Sequence, residues 1–168
     1  MFWVALSLVY PLKNKPNKSM KITLGLTLLI IVTIISGGFV AGLKAGKIYN
    51  TYPMMGDYWL PPGLFSLQPI WINFFENLIT VQLVHRVLTA ITFIAIILYW
   101  LKMRKLNLIK RIRKANNTLM SITMLQFILG ISTLILYVPI SLAAAHQATA
   151  LILLTVALYL CHAQIRGQ

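Results

Sequence analysis

Three histidines, an arginine set in an apolar run and a single cysteine are the side chains of this sequence best suited to chemistry in an apolar setting. His85 and His146 each fall a few residues inside a long hydrophobic stretch. An ionisable residue at such depth is costly to bury, so it is a functional candidate by default. Counted from the same side, the two sit about seven and five residues into their stretches, a depth difference of about 3 Å at helical rise. On two neighbouring helices, paired imidazoles at one level are positioned to ligate one metal from opposite sides. The surroundings of His146 are small: Ala143, Ala144 and Ala145 precede it, and Ala148, Thr149 and Ala150 follow. The i+3 and i+4 positions share its face, which suits a flat macrocycle such as haem better than a compact ion. A zinc centre would want further ligands, and no cysteine or third histidine stands at that depth. Three readings stand on spacing alone: ligation of haem iron between facing helices, simple hydrogen bonding between helices, and a transport or proton-relay role.

Arg86 follows His85 and points about 100° away from it on a helix. Three roles suit it: snorkelling outward, a bidentate partner for a haem propionate, or an ion pair with Asp57 or Glu76, the only acids in the chain. His162 is about 24 Å of helix beyond His146, outside any shared site, and reads as an interfacial histidine. Cys161 lies in apolar sequence and reads as a small buried hydrophobe. Gly38, Gly42 and Gly46 recur every four residues, a small-residue stripe that permits close helix approach. Gly130 is a weaker case of the same kind. Nothing in the sequence pairs a nucleophile with a base, doubles a carboxylate or cradles a phosphate. Redox chemistry here must come from a cofactor for which the protein supplies ligands and position.

The elements that hold these residues follow from composition. The chain has 168 residues, of which 59% are hydrophobic and 10% charged, against roughly 45–50% and about 25% in soluble domains. A soluble fold would expose large apolar patches, and the chain is too apolar for disorder. The net charge of +13 resembles a nucleic-acid footprint. The basic residues nevertheless sit mostly in short segments between apolar runs, where they act as topology signals, so no nucleic-acid partner is expected. One cysteine allows no internal disulfide and no CxxC motif.

The reading is an all-α integral membrane fold: a four-helix transmembrane bundle with a truncated helical stub at the N-terminus, its partner the lipid membrane. The expected spans are residues 22–43, 78–101, 118–138 and 141–161, with Pro139 breaking the last long run into two helices. Residues 1–12 form the stub, the tail of a helix whose start lies elsewhere. Residues 13–168 form the four-helix haem-binding domain. Lys13, Lys15, Lys18 and Lys21 precede the first span, seven basic residues between 102 and 114 separate the second and third, and Arg166 follows the fourth. By the positive-inside rule these face the cytoplasm or matrix. Residues 44–75, rich in aromatic residues and proline, lie on the outer side, folded against the membrane interface. Lys, Ile and Asn usage, together with the lack of an Arg-rich transit peptide, places the chain in a bacterial inner membrane rather than a mitochondrial one.

Three long strings carry a resemblance: SGGFVAGLKAGKIYNTYPMMG at 36–56, WINFFENLITVQLVHR at 71–86 and LGISTLILYVPISLAAAHQATALILLT at 129–155. Together they are similar to the haem A synthase family. Members oxidise a methyl group of haem O to the formyl group of haem A for terminal oxidases, and are built of two similar four-helix halves. The chain resembles the second half. The resemblance implies that His85, in VQLVHR, and His146, in AAAHQA, ligate the iron of a haem b cofactor. It places the substrate site in the first half, with its own histidine pair and a glutamate three residues before the first histidine. That position is Gln82 here, so the catalytic residues remain unknown. It further implies haem O as substrate of the complete enzyme and, as partner, a first half that could be a separately encoded chain. The alternative is a non-enzymatic b-type cytochrome serving as an electron-transfer subunit; a cofactor-free transporter or structural subunit is the third option.

Overall fold

A computed structural model describes residues 1–9 and 18–166. Lys13, Lys15, Pro11 and the boundary expected at residue 12 lie outside the described residues, as do the side chains of Lys18 and Arg166. Five helices follow in order: α1 (Phe2–Val9), α2 (Lys18–Gly42), α3 (Leu78–Arg104), α4 (Lys110–Ile135) and α5 (Ile140–Arg166). Two short 3₁₀ turns, Ala45–Lys47 and Ile70–Phe74, punctuate the long connection between α2 and α3. Helices α2 to α5 are each long and apolar enough to cross a membrane, so the protein is a multi-pass membrane protein with an all-α fold, as its composition predicts.

The four long helices pack in a ring. Helix α3 packs against α2 and α4, and α5 against α4 and α2, so α3 and α5 are diagonal to one another. Helix α1 lies against α5. In hydrocarbon every polar group must be satisfied within the protein. The threonines manage this by bonding back along their own helices: Thr27 to the Thr23 carbonyl, Thr33 to Leu29, Thr92 to Leu88, Thr123 to Leu119 and Thr133 to Leu129, all at 2.7–2.9 Å. Thr33 and Thr92 also meet each other at 2.8 Å, fastening α2 to α3.

The apolar core occupies one half of the bundle. Leu26, Ile30, Ile96, Tyr99, Met103, Ile112, Leu119, Leu153 and Leu160 form it. These residues come from the start of α2 and α4 and the end of α3 and α5, the end that carries the basic α3–α4 connection. A buried polar knot locks the same end. Thr23 Oγ1 lies 2.7 Å from Tyr99 Oη and 2.9 Å from Gln164 Oε1, and Gln164 Nε2 donates to Tyr99 Oη at 2.6 Å. Cys161 is buried here, as its setting predicts, with Sγ 3.4 Å from the Thr27 hydroxyl. His162, expected at the interfacial end of its span, is fully buried within the protein there.

The opposite end is closed by the long connection and by the α4–α5 turn. Asn77 caps α3, accepting from the amides of Ile79 and Thr80 at 3.0 and 3.1 Å, which satisfies the first free donors of the helix. Its amide donates to the Gly63 carbonyl and to Asn73 Oδ1, and Asn73 donates to the Leu67 and Ile70 carbonyls. Asn50 ties the same segment to α4 through the Leu134 carbonyl at 2.8 Å. The connection is thus folded onto the helix ends, with Trp59 and Trp71 left 67% and 61% exposed, the disposition that suits aromatic rings at a membrane interface. The α4–α5 turn places Tyr137 and Val138 consecutively in the left-handed region, φ 61° and 60°, a cost for residues with a Cβ. It is held by the Val138 amide donating to the Thr133 carbonyl at 2.8 Å. Val138 also fills the space beside Gly46, where an added Cβ would lie 3.2 Å from its Cγ2.

Candidate functional site

His85 stands seven residues after Leu78, the first residue of α3, and His146 six after Ile140, the first of α5. Both helices start from the loop end and run the same way, so the rings differ by one residue, about 1.5 Å, in depth along their helices. The two helices are diagonal across the ring rather than neighbours as expected. Diagonal placement leaves the bundle interior between the two helices that carry the rings.

Each histidine is seated on a glycine of the preceding helix. A Cβ added at Gly37 of α2 would lie 3.0 Å from His85 Cε1, and one at Gly130 of α4 would lie 2.9 Å from His146 Cε1. Real Cβ atoms do not approach so closely without displacement, so only glycine lets each ring rest against the helix backbone. The helix pairs α2–α3 and α4–α5 therefore repeat one device, a glycine on the first helix that seats a histidine near the start of the second. The sequence alone shows no such repeat, because the spacing is 48 residues in one pair and 16 in the other. The expected glycine stripe holds only at Gly46, where an added Cβ would meet Val138. Nothing stands within 4 Å of a Cβ at Gly38 or Gly42; Gly37, beside them, is the glycine that works.

The proton positions follow from the hydrogen bonds. Ser36 Oγ donates to the Thr33 carbonyl at 2.7 Å and also lies 2.8 Å from His85 Nδ1. A hydroxyl has one hydrogen, so with that hydrogen on the carbonyl the imidazole is the donor to Ser36. Nδ1 then carries the proton and Nε2 keeps its lone pair, the tautomer a metal ligand requires. His146 Nδ1 is buried with no hydrogen-bond partner. Its Nε2 lies 3.5 Å from Gln126 Nε2, at the outer limit of hydrogen bonding, so that lone pair is only weakly engaged. Ser36, Gly37 and Gln126 carry no signal in the sequence beyond sitting on apolar helices.

Arg86 is engaged by backbone carbonyls rather than by the acids expected as its alternative partners. Its Nη1 donates to the carbonyls of Thr51 at 2.9 Å and Met54 at 3.1 Å, and Nη2 to Tyr49 at 2.8 Å. No ion pair with Asp57 or Glu76 forms. Gln82, one turn earlier, donates to the same Tyr49 carbonyl at 2.9 Å, and its Oε1 is buried without a partner. These two side chains clamp the connecting segment over the histidine level. The Nε of Arg86 is buried and makes no hydrogen bond within the protein.

The apolar core stops below this level. From Leu134 to Ile152, across the end of α4 and the start of α5, no residue is fully buried, whereas Leu153 begins the core. Ala143, Ala144, Ala145, Ala148 and Ala150 keep the α5 surface here low. Among the described residues no three His, Cys, Asp or Glu side chains gather to hold a bare metal ion. A haem iron asks less of the protein, because the macrocycle supplies four ligands and only axial positions remain. Two imidazoles with available nitrogens, small flanking residues and an unused arginine donor fit that group.

Comparison with known proteins gives a family. The description Cytochrome oxidase assembly protein (COX15-CtaA) matches residues 1–158. The chain is 44% identical to a protein of Arabidopsis thaliana named Heme A synthase COX15, covering 96% of this chain and 37% of that protein. It is 44% identical to Heme A synthase of Nitrosospira multiformis, over 100% of this chain and 48% of the relative. Against the Homo sapiens Heme A synthase COX15 the identity is 42%, over 94% of this chain and 40% of that protein. The chain thus spans about half, or less, of the length of the curated relatives it matches. No solved structure matches.

Proposed function

The chain belongs to the cytochrome oxidase assembly protein (COX15-CtaA) family, and on that premise we propose that it is the C-terminal, haem-b-binding half of a haem A synthase. His85 and His146 would hold its iron, and Arg86 Nε would be the donor available to a propionate. The observation that carries the reading is the pairing of two histidines on diagonal helices at one depth, each seated on a glycine. The stretch from Leu134 to Ile152, where no residue is fully buried, supports it further, because a macrocycle needs room that a close-packed apolar core does not leave.

When bound, haem b would supply one-electron redox chemistry. The protein's own part is to hold and orient. Ser36 fixes the His85 tautomer, the glycines set the ring positions, and Arg86 with Gln82 fastens the connecting segment above. In the complete enzyme the reaction would be oxidation of the haem O methyl group to the formyl of haem A for terminal oxidase biogenesis, with haem O as substrate. Gln82 stands where the first half of the family carries a glutamate, so turnover would need a first half, on a separate chain or otherwise. The similar proteins come from a bacterium, a plant and an animal alike; the Lys, Ile and Asn usage supports the bacterial inner membrane. The names of the relatives favour the synthase over the electron-transfer-subunit alternative.

The test is coexpression of the chain with a candidate first half in cells that supply haem O, assayed for haem A. The proposal predicts haem A only when both are present. Low-spin haem in the chain with no haem A from any candidate half would favour the b-type cytochrome instead.

A further inference from the structure

The two histidine seats are alike in register and unlike in what holds the ring. In α2 the residue before the seat glycine, Gly37, is Ser36, whose hydroxyl donates to the Thr33 carbonyl at 2.7 Å and meets His85 Nδ1 at 2.8 Å. In α4 the residue before the seat glycine, Gly130, is Leu129, whose side chain has no polar atom to meet a ring nitrogen. His146 Nδ1 is buried without a hydrogen-bond partner. Its Nε2 stands beside an amide, 3.5 Å from Gln126 Nε2, and Gln126 Oε1 is also buried without a partner. Gln126 precedes its glycine by four residues, the place that Thr33 takes in α2. One imidazole is thus anchored through Nδ1. The other has no such anchor, and a side-chain amide lies next to its second nitrogen.

A hydrogen bond on one ring nitrogen of a histidine fixes the ring's orientation and raises the donor strength of the other nitrogen. His85 has that support from Ser36 and His146 lacks it. From this inequality, and resting on the haem-binding reading above, we infer that His85 is the fixed axial ligand and His146 the exchangeable one, giving way to a small neutral ligand of the carbon monoxide type on the α5 side. Gln126 favours the exchanged state, because its amide Nε2 is placed to donate to the Nε2 lone pair of a detached ring. The exchange is balanced. The coordinate bond from His146 Nε2 is replaced by one from the incoming ligand, the ring lone pair passes to the amide N–H, and no electron or proton is transferred. Room for the ring to turn exists on this side, since no residue from Leu134 to Ile152 is fully buried.

The experiment uses the full chain loaded with haem b, reduced with dithionite and mixed with carbon monoxide. The rate and extent of conversion from the low-spin bands to those of the carbon monoxide adduct are read by absorption. Wild type should convert, at a rate set by release of His146. Leu129→Ser gives the His146 seat the hydroxyl that Ser36 gives His85, with the Gln126 carbonyl three residues back to receive its hydrogen, and should slow conversion about tenfold. Gln126→Leu removes the amide that receives the detached ring and should lower the affinity for carbon monoxide. Ser36→Ala frees His85 and should speed conversion. Damage to the fold also speeds it, so slowing in Leu129→Ser separates anchoring from mere disruption, and Gln126→Leu preserves the test if Leu129→Ser folds poorly. Wild type that keeps its low-spin bands under saturating carbon monoxide overturns the inference. Binding that is unchanged or stronger in both Leu129→Ser and Gln126→Leu overturns it as well. Wild type that takes up no haem contradicts the haem-binding reading itself, and the exchangeable ligand falls with it.

Discussion

His85 Nδ1 and Ser36 Oγ lie 2.8 Å apart, and with the serine hydrogen on the Thr33 carbonyl, 2.7 Å away, the proton between them is the histidine's. One hydroxyl on α2 thus sets which nitrogen of a ring on α3 is left to bind iron. Removing it should leave a ligand that is present but free to rotate. Ser36→Ala is expected to lower haem affinity ten- to a hundredfold, the range typical of lost outer-shell hydrogen bonds. Ser36→Thr keeps the hydroxyl and should recover most of it. A haem titration giving equal affinity for wild type and Ser36→Ala would remove the serine from the account.

The glycine seats give a sharper contrast. Gly37→Val and Gly130→Val each place carbon where an imidazole stands, at 3.0 and 2.9 Å for the Cβ alone. Both should displace the ring and abolish the low-spin spectrum. Gly38→Ala and Gly42→Ala meet nothing within 4 Å. They should leave the spectrum intact and raise helix stability by about 0.5–1 kcal/mol each. Spectra and thermal melts of the four variants decide it, and a normal spectrum in Gly130→Val would break the seat argument.

Arg86 separates positioning from cofactor contact. Arg86→Lys keeps the charge but loses the fork that reaches the Tyr49, Thr51 and Met54 carbonyls. Hydrogen exchange in residues 49–58 should quicken, consistent with the loss of hydrogen bonds worth about 1.5–3 kcal/mol each to a charged donor. If Arg86 also meets a propionate, the haem midpoint potential should shift in the same variant. Faster exchange with an unmoved potential would confine Arg86 to the loop.

His162 provides the control. It lies 16 residues, about 24 Å of helix, beyond His146 and is fully enclosed. His162→Ala should leave the haem spectrum unchanged while lowering stability by about 2 kcal/mol, as expected for a cavity in a packed interior. Loss of the haem signal at unchanged helicity would overturn the separation of the two ends.

Much of this was legible in the residues. Long uncharged runs and the basic connection between them give four membrane helices, because bilayer thickness leaves little freedom in length. Pro139 marks the α4–α5 turn for the same kind of reason, since proline cannot sit in the middle of a helix. His85 and His146 stand out because ionisable groups are rare in such runs. What could not be read is relative rotation about the helix axes. Four glycines near the loop end look alike in sequence, and only packing shows that Gly37, rather than Gly38 or Gly42, meets a ring. Charge alone offers Arg86 a propionate or an acid as partner. The fold gives it backbone carbonyls, which no sequence pattern marks, and the burial of His162 is likewise a tertiary outcome.

The central claim is that two imidazoles on diagonal helices hold one haem, and electron paramagnetic resonance of the purified chain tests it most directly. The account predicts a low-spin ferric signal of bis-histidine type in wild type and its loss in both His85→Ala and His146→Ala. A bis-histidine signal that persists in either variant would contradict it.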